Sequence, residues 1–548
     1  MSIQTTPVAI VGGGPVGLML ALFLDRHGVA SVVFNSDSEV RRQPKGSTHN
    51  ARTMEHYRRL GFADEVRALG LPADHPTDVA YFTRFDGWEL ARLRMPSAAE
   101  KLAARAAAPA TDQVPEPIHR ANQMYVERAI FARAAARPGI TLRFGWRVAN
   151  FEQDAAGVSI HAVREGNGAE ERWRASWLAG CDGGRSSVRR ALGIRYAGFE
   201  NLQQAFFGGA MLSCHVRAPT LYRDILGGRR AFQYWALNPE LRTAMVALDG
   251  REEFLLWMRS DAAGVDDHAV RAAMQACAGR PIEVEVLGSY PWTAGVALHA
   301  ERFGDGRVWL AGDAVHLFTP TGGFGMNTGV GDIVDLSWKI TAMLQGWGGP
   351  KLLDSYTPER RPVAERNVRE AAGNLGRMLS PAPTKAFLTP SPEGEAERRK
   401  VGEDFSIAMM REWKTLGIHL GYFYEASPII VSDGAPAPSL EPAVYEQTTR
   451  PGSRAPHVWL KDGRSTLDLL GKSFALLRLG ADAPSGESLI AAAKACALPL
   501  DVVTIDEPAV IKAYERKLVL VRPDGHCCWR GDAEPTDAMA VIDTVRGA

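Results

Sequence analysis

Residues 8–34 read VAIVGGGPVGLMLALFLDRHGVASVVF, and the parsing of this run decides the fold. An uncharged stretch such as Val8 to Leu24 would suit a signal-peptide core or a short membrane span. However, no basic residue precedes it, Pro15 and three consecutive glycines interrupt it, and it falls short of about 20 apolar residues. The pattern instead predicts a buried strand (Val8–Val11), a turn (Gly12–Gly17), a buried helix (Leu18–His27) and a second strand (Ser31–Phe34), which together open a βαβ unit. Gly12-Gly13-Gly14-Pro15-Val16-Gly17 places GxGxxG at the strand-to-helix turn. The first glycine allows the tight turn, the second lets backbone approach a pyrophosphate, and the third lets helix and strand pack closely. The helix N-terminus, carrying roughly half a positive charge, then faces the phosphates. A dinucleotide site is the expectation. Where an acidic residue would bind the ribose hydroxyls stands Asn35, followed by Ser36 and Asp37. An asparagine amide both donates to and accepts from a diol. Alternatively, Asn35 is only a turn residue and Asp37 does the binding.

A second glycine-rich stretch, 307–340, reads RVWLAGDAVHLFTPTGGFGMNTGVGDIVDLSWKI. A strand (Val308–Ala311) delivers Gly312-Asp313, whose carboxylate suits a polyol. Pro320, Gly322-Gly323 and Gly325-Met326-Asn327 then lead into a helix over 329–344. On it Ile333, Leu336, Ile340 and Leu344 repeat at the spacing of one buried face. A glycine-rich helix start offers free N–H groups and a positive dipole end, which suits a flat heterocycle that turns anionic on reduction.

The remaining chain sets bounds. At about 150 residues per domain, 548 residues imply three or four domains, and 46% hydrophobic with 23% charged residues is ordinary globular composition. Lys plus Arg equals Asp plus Glu at 63 each, so no bulk field favours nucleic acid or an anionic membrane, and a small-molecule partner is expected. Six scattered cysteines lack CxxC or Cys/His ligand spacing, so no metal site and no oxidising compartment are inferred, and the protein reads as cytoplasmic. Residues 92–118 read as a surface excursion, Gln123–Ala136 as a helix, 200–300 as β-rich, and 432–456 as a linker before a small α/β domain.

Together, GGGPVGL near the N-terminus, GCDGGRSSVRRALG at 180–193 and GDAVHLFTPTGGFGMNTGVGDIVDLSWK at 312–339 resemble the three FAD motifs of single-component flavin aromatic hydroxylases, the p-hydroxybenzoate hydroxylase superfamily. PKGSTHNARTMEHYRRLG (44–61), LLDSYTPERRPVAERN (352–367) and PGSRAPHVWLKDGRSTLDLLG (451–471) resemble its phenol/chlorophenol hydroxylase branch. The resemblance implies a mixed α/β and α+β fold: a Rossmann-like FAD domain (1–75, 119–199, 301–370) interleaved with a β-sheet substrate domain (76–118, 200–300). A connector (371–431) and a thioredoxin-like domain (432–548) follow. It also implies that Gly12, Gly14 and Gly17, with Pro15 and Val16 between them, hold the ADP moiety, and that Asn35 meets the adenosine ribose. Lys45 stands where the family has an arginine near the pyrophosphate, keeping charge but losing the bidentate fork. Gln123 falls near the ribityl chain, Val148 by the adenine, Asp182 between FAD and the approach of NAD(P)H, and Asp313 at a ribityl hydroxyl. Pro320, Gly323, Gly325, Met326 and Asn327 line the isoalloxazine. The thioredoxin-like domain lacks a redox pair: Cys527 and Cys528, adjacent on a strand, point to opposite faces. It reads as structural or as an oligomer contact, such as a homodimer would use.

The implied chemistry is reduction of bound FAD by transient NADPH or NADH, addition of O2 at flavin C4a, and attack of the hydroperoxide's distal oxygen on an activated aromatic ring. A phenol near pKa 10 needs a base or relay to gain phenolate character at neutral pH. His49, beside the family's flavin-proximal Arg52-Thr53 pair, and Tyr234, in the strand-like AFQYWAL patch, are the candidates; His316 reads as orienting the FAD loop. Baeyer–Villiger insertion or epoxidation of a polyketide-like substrate, and an FAD-dependent dehydrogenase or reductase, are the alternatives.

Overall fold

Strand β1 (Ile3–Val11) enters the middle of a sheet, and its Val8, Ala9 and Ile10 have no solvent exposure. The computed structural model describes residues 2–110, 112–200, 202, 209–259, 266–378 and 383–548. Position 111 of the expected surface excursion, 201, 203–208 and 260–265 of the expected substrate domain, and 379–382 of the expected connector lie outside the described residues.

β1 pairs in parallel with β2 (Ser31–Asn35) on one side and with β4 (Glu170–Gly180) on the other. Beyond β2 lies β3 (Ile140–Phe144), and beyond β4 lies β5 (Val308–Leu310), both also parallel. Parallel strands covered on both faces read as continuous apolar runs, which is why VAIV and SVVF carried so clear a signal. Helix α1 (Pro15–Arg26) packs against α2 (Gly325–Gln345), so the helices that leave the two glycine turns lie side by side. Ile333, Leu336 and Ile340 are buried as their spacing predicts, yet α2 is buried on every side from Asn327 to Ala342. The expectation of one buried face is corrected for a physical reason: Trp338 and Ala342, on its far side, pack into the core of the C-terminal domain.

The second sheet has seven strands in the order 285–294, 209–217, 253–259, 242–247, 233–237, 79–82, 89–93. Its neighbours are antiparallel except for 233–237 beside 79–82. Successive side chains alternate faces. Tyr234 and Ala236 enter one core, while Trp235 and Leu237 enter the other. Within the expected surface excursion the chain forms a helix, Ala98–Ala107, opened by a capping box. Ser97 Oγ accepts from the Glu100 amide and Glu100 accepts from the Ser97 amide, the S-x-x-E signal of a helix start.

The C-terminal sheet has the order 500–505, 474–479, 518–521, 527–531, the first pair parallel and the rest antiparallel. With helices at 487–495, 508–514 and 538–546 this is the thioredoxin arrangement. Cys527 and Cys528 do point into opposite cores. The domain docks on the first through buried charge. Arg522 donates to Glu359 at 2.5 Å, to Asp524 at 2.6 Å and to Asp335 of α2 at 3.0 Å, and Lys339 donates to Asp335 and Glu359. Glu55 accepts from both Arg52 and Arg454. Desolvation offsets much of the attraction in such pairs, but removing one partner leaves a stranded charge.

Candidate active site

The GxGxxG glycines divide into packing and binding positions. A Cβ on Gly12, whose φ is +110°, would lie 2.2 Å from the Cys181 carbonyl oxygen, and one on Gly17 would lie 2.0 Å from the Gly12 oxygen. A Cβ on Gly14 would meet nothing within 4 Å, because Gly14 faces an open cavity of about 700 Å³. Gly14 is the N-cap of α1 and carries no side chain there, so the first amides of the helix look into that space. A cradle that a side chain would fill, under a positive helix end, fits a pyrophosphate. Asn35 lines the cavity, but its amide is engaged locally: Oδ1 accepts from the Gly13 amide at 3.1 Å and Nδ2 donates to the Asp37 carbonyl at 3.1 Å. Asp37 is half-buried and paired with Arg41. Lys45, Gln123 and Val148 also line this end, with Gln123 donating to Glu127. Asp182 lines the cavity too, and its carboxylate caps the short helix at 187–191 by accepting from the Ser187 and Val188 amides.

At the other glycine cluster, Asp332 of α2 organises the loop from beneath. Its carboxylate accepts from the Gly312 amide at 3.1 Å, His316 Nε2 at 2.7 Å and Arg360 Nε at 2.9 Å. Burial pushes this carboxyl upward, but the His316 and Arg360 charges and the bonds outweigh it and hold it below the usual carboxylate range. Asp313, next to the anchored Gly312, is exposed to the cavity, with Oδ1 4.0 Å from where a Cβ on Gly325 would stand. A carboxylate thus hangs beside the start of α2, where Gly325 and Met326 also line the cavity. Pro320 and Gly323 complete that wall. Gly323 takes φ +65° and has the Thr48 side chain against it, so no larger residue fits.

The cavity then runs onto one face of the seven-stranded sheet. Trp235, Trp257 and Trp292 project from its strands, Phe232 precedes one of them, and Trp413 closes the space from the last turn of the helix Pro392–Trp413. Four tryptophans at this end of the cavity make a slot for flat rings. Beside them, Glu412 accepts from the Gly322 amide at 2.9 Å. Burial pushes its carboxyl up to about 7, against the opposing pull of that amide, Arg120 and Arg377.

A family model described as "FAD binding domain" matches residues 5–371, and one described as "Aromatic-ring hydroxylase, C-terminal" matches residues 448–548. The chain belongs to this family of FAD-binding aromatic-ring hydroxylases. It is similar to the solved structure of chromopyrrolic acid-soaked RebC with bound 7-carboxy-K252c, at 36% identity and a TM-score of 0.90 over 100% of both chains. A putative polyketide hydroxylase from Streptomyces halstedii is 30% identical over 100% of this chain and 96% of its own length. A 2,4-dichlorophenol 6-monooxygenase from Delftia acidovorans is 29% identical over 96% of this chain and 94% of its own length. The hydroxylase is therefore a flavoprotein monooxygenase that binds FAD. No helix among its described residues is long and apolar enough to cross a membrane.

Several residues read from the sequence stand elsewhere than expected. Asn327 of this hydroxylase is spent on backbone rather than on the cavity. Its Oδ1 accepts from the Asn50 amide, and its Nδ2 donates to the Thr48 and Gly323 carbonyls, which staples two cavity loops together. His49 is fully buried behind the wall, with Nδ1 3.1 Å from the Tyr57 hydroxyl and Nε2 3.0 Å from the Ala121 carbonyl oxygen. Burial drives its imidazole down to about 3. Tyr234 lies on the far face of its strand, where its hydroxyl accepts from the Ala231 amide and its ring packs on Phe82 and Phe85. Neither candidate base faces the cavity. Arg52 also points away, toward Glu55 and the Asp524 carbonyl. His316 does orient the loop, through Asp332. Sequence reading missed Glu412, Trp413 and Asp332. Asp332 alone carried a local signal, since residues 312 and 316 flank the loop that this helix must hold.

Proposed function

We propose that this monooxygenase hydroxylates a flat, fused-ring aromatic substrate bearing a phenolic group. A single observation carries the reading: one continuous cavity joins the nucleotide cradle at Gly14 to a slot walled by Trp235, Trp257, Trp292 and Trp413. The polyketide-hydroxylase and RebC similarities support the larger ring system over a single phenol.

Bound FAD, reduced by NAD(P)H, supplies the activation of O2 from which one oxygen atom reaches the ring. The chain's own residues do the rest. Gly12 and Gly14, with Pro15 and Val16, would let the first turn of α1 approach the pyrophosphate, Gly17 would keep that turn packed on Gly12, and Lys45 would add a positive charge nearby. Asn35 and Asp37 would flank the adenosine ribose, Val148 the adenine and Gln123 the ribityl chain, while Asp182 would line the approach of NAD(P)H. Asp313 would accept from a ribityl hydroxyl, and the amides at the start of α2 by Gly325 and Met326 would favour negative charge on a ring system held there. The tryptophans orient the substrate and exclude water. The FAD part spans 1–75, 119–199 and 301–370, and the substrate part spans 76–118 and 200–300. Six unpaired cysteines support a cytoplasmic setting.

The test is a panel of hydroxylated single-ring and fused-ring aromatics with the holoenzyme, scored for stimulated NAD(P)H oxidation, peroxide release and product mass. Fused-ring phenols should stimulate most and gain one oxygen atom. Insertion into a ring ketone, or stimulation by single-ring phenols alone, overturns the reading.

A further inference from the structure

With His49 and Tyr234 turned away, the tryptophan end of the cavity holds one ionisable side chain among the described lining residues, Glu412. It ends the helix Pro392–Trp413 and reaches across to the Gly322 amide of the loop before α2. Three groups face it from neighbouring elements. Arg120 lies behind the cavity wall, centred 4.8 Å over the Phe232 ring and 5.1 Å over the Trp413 ring, and donates to Thr48. Arg377, at the end of the helix Tyr356–Arg377, donates to Asn374 at 2.7 Å. The Tyr81 hydroxyl approaches from the strand 79–82. Both cations are thus spent on other partners, and they act on Glu412 through space.

The geometry points to Glu412 as a catalytic residue, the acceptor of the phenolic proton of a substrate held between the tryptophans. The substrate O–H bond breaks, a bond from hydrogen to a Glu412 carboxylate oxygen forms, and the electron pair stays on the phenolate oxygen, from which it enriches the ring carbon that is attacked. The oxygen atom comes from O2 and the reducing electrons from NAD(P)H, as the established activity supplies. When the ring regains aromaticity its displaced C–H proton leaves to water, and Glu412 returns its own proton to the phenolic oxygen. A carboxyl raised to about 7 is matched to this task near neutral pH, because it accepts a proton readily yet is ionised often enough to do so.

The inference rests on the fused-ring phenol reading, and the experiment separates the two. Holoenzyme, wild type and Glu412→Gln, is titrated with 2-naphthol and with its methyl ether from about pH 5 to about pH 9. For wild type, 2-naphthol should bind about tenfold more tightly above the Glu412 transition than below it, while the ether, which has no proton to give, should show no step. In Glu412→Gln the step should vanish, with FAD retained and ether affinity unchanged. A flat wild-type profile for 2-naphthol, or an unchanged step in Glu412→Gln, overturns the assignment. Should the variant lose FAD, the wild-type contrast between phenol and ether decides alone. If neither probe binds the wild type, the fused-ring reading itself fails and the inference falls with it.

Discussion

Asp332 Oδ2 lies 2.7 Å from His316 Nε2 while Oδ1 takes Arg360 Nε at 2.9 Å, so a single buried carboxylate ties the cavity loop to an imidazole and a guanidinium from different elements. Asp332→Asn keeps the shape and discards the charge, which strands the Arg360 guanidinium. The expected cost is about 3–5 kcal/mol of stability, with FAD lost on gel filtration. Thermal melts and the flavin content of the purified variant check this.

The same carboxylate sets an acid limit. Its folded pKa lies below the unfolded value of about 4, so its stabilisation is fully present above that value and drains away as pH falls through the folded pKa. Wild type should therefore release FAD and lose melting temperature below about pH 4, whereas Asp332→Asn should show a shallower acid slope. A pH series of melts on both proteins reads the difference.

Gly14→Ala and Gly17→Ala separate binding from folding. At Gly17 the new methyl collides with the Gly12 carbonyl at 2.0 Å, so the variant should be unstable with or without cofactor. At Gly14 the methyl enters the cavity, so the apoprotein should melt as wild type while FAD binds about tenfold more weakly, near 1.4 kcal/mol. Circular dichroism melts and flavin titration distinguish them.

Neighbours on one strand should behave oppositely. Tyr234→Phe strands the Ala231 amide and should cost about 1–3 kcal/mol of stability with little change in KM. Trp235→Ala removes a wall of the slot and should raise KM for a fused-ring substrate about tenfold or more. His49→Gln should lower stability without altering the pH dependence of turnover, because the ring is fully buried outside the cavity lining. Steady-state kinetics on the three variants test the assignment of faces.

These contrasts show what a sequence can reveal. Gly12, Gly17 and Gly323 were legible because each is forced by a close approach within or beside its own turn. The place of Asp313 on the cavity was legible because it falls in the turn between a strand and a glycine-rich helix start. The facing of Tyr234 was not legible, because alternation fixes which residues share a face but not which face meets the cavity. His49 drew attention by residue type alone, while its burial depends on Ala121, 72 residues away. Glu412 escaped notice because its partner, Gly322, lies 90 residues earlier and no periodicity links them. The helix Ala98–Ala107 could have been read from the Ser97 and Glu100 spacing.

Arg522→Ala removes the cation that Asp335, Glu359 and Asp524 share, leaving Lys339 to balance Asp335 and Glu359. The expected loss is about 3–5 kcal/mol, visible as a lower denaturant midpoint, while Cys527→Ser, which removes no ion-pair partner, should leave the midpoint nearer wild type. Chemical unfolding followed by tryptophan fluorescence measures it.

Asp335 sits one helical turn beyond Asp332, so the rod that seats the flavin loop is also the keel on which the last hundred residues are berthed. Clipping the chain before residue 448 would not trim an appendage. It would leave Asp335 and Glu359 without Arg522 and Glu55 without Arg454, and it would uncover Trp338, so that damage at the tail would be felt at the cofactor.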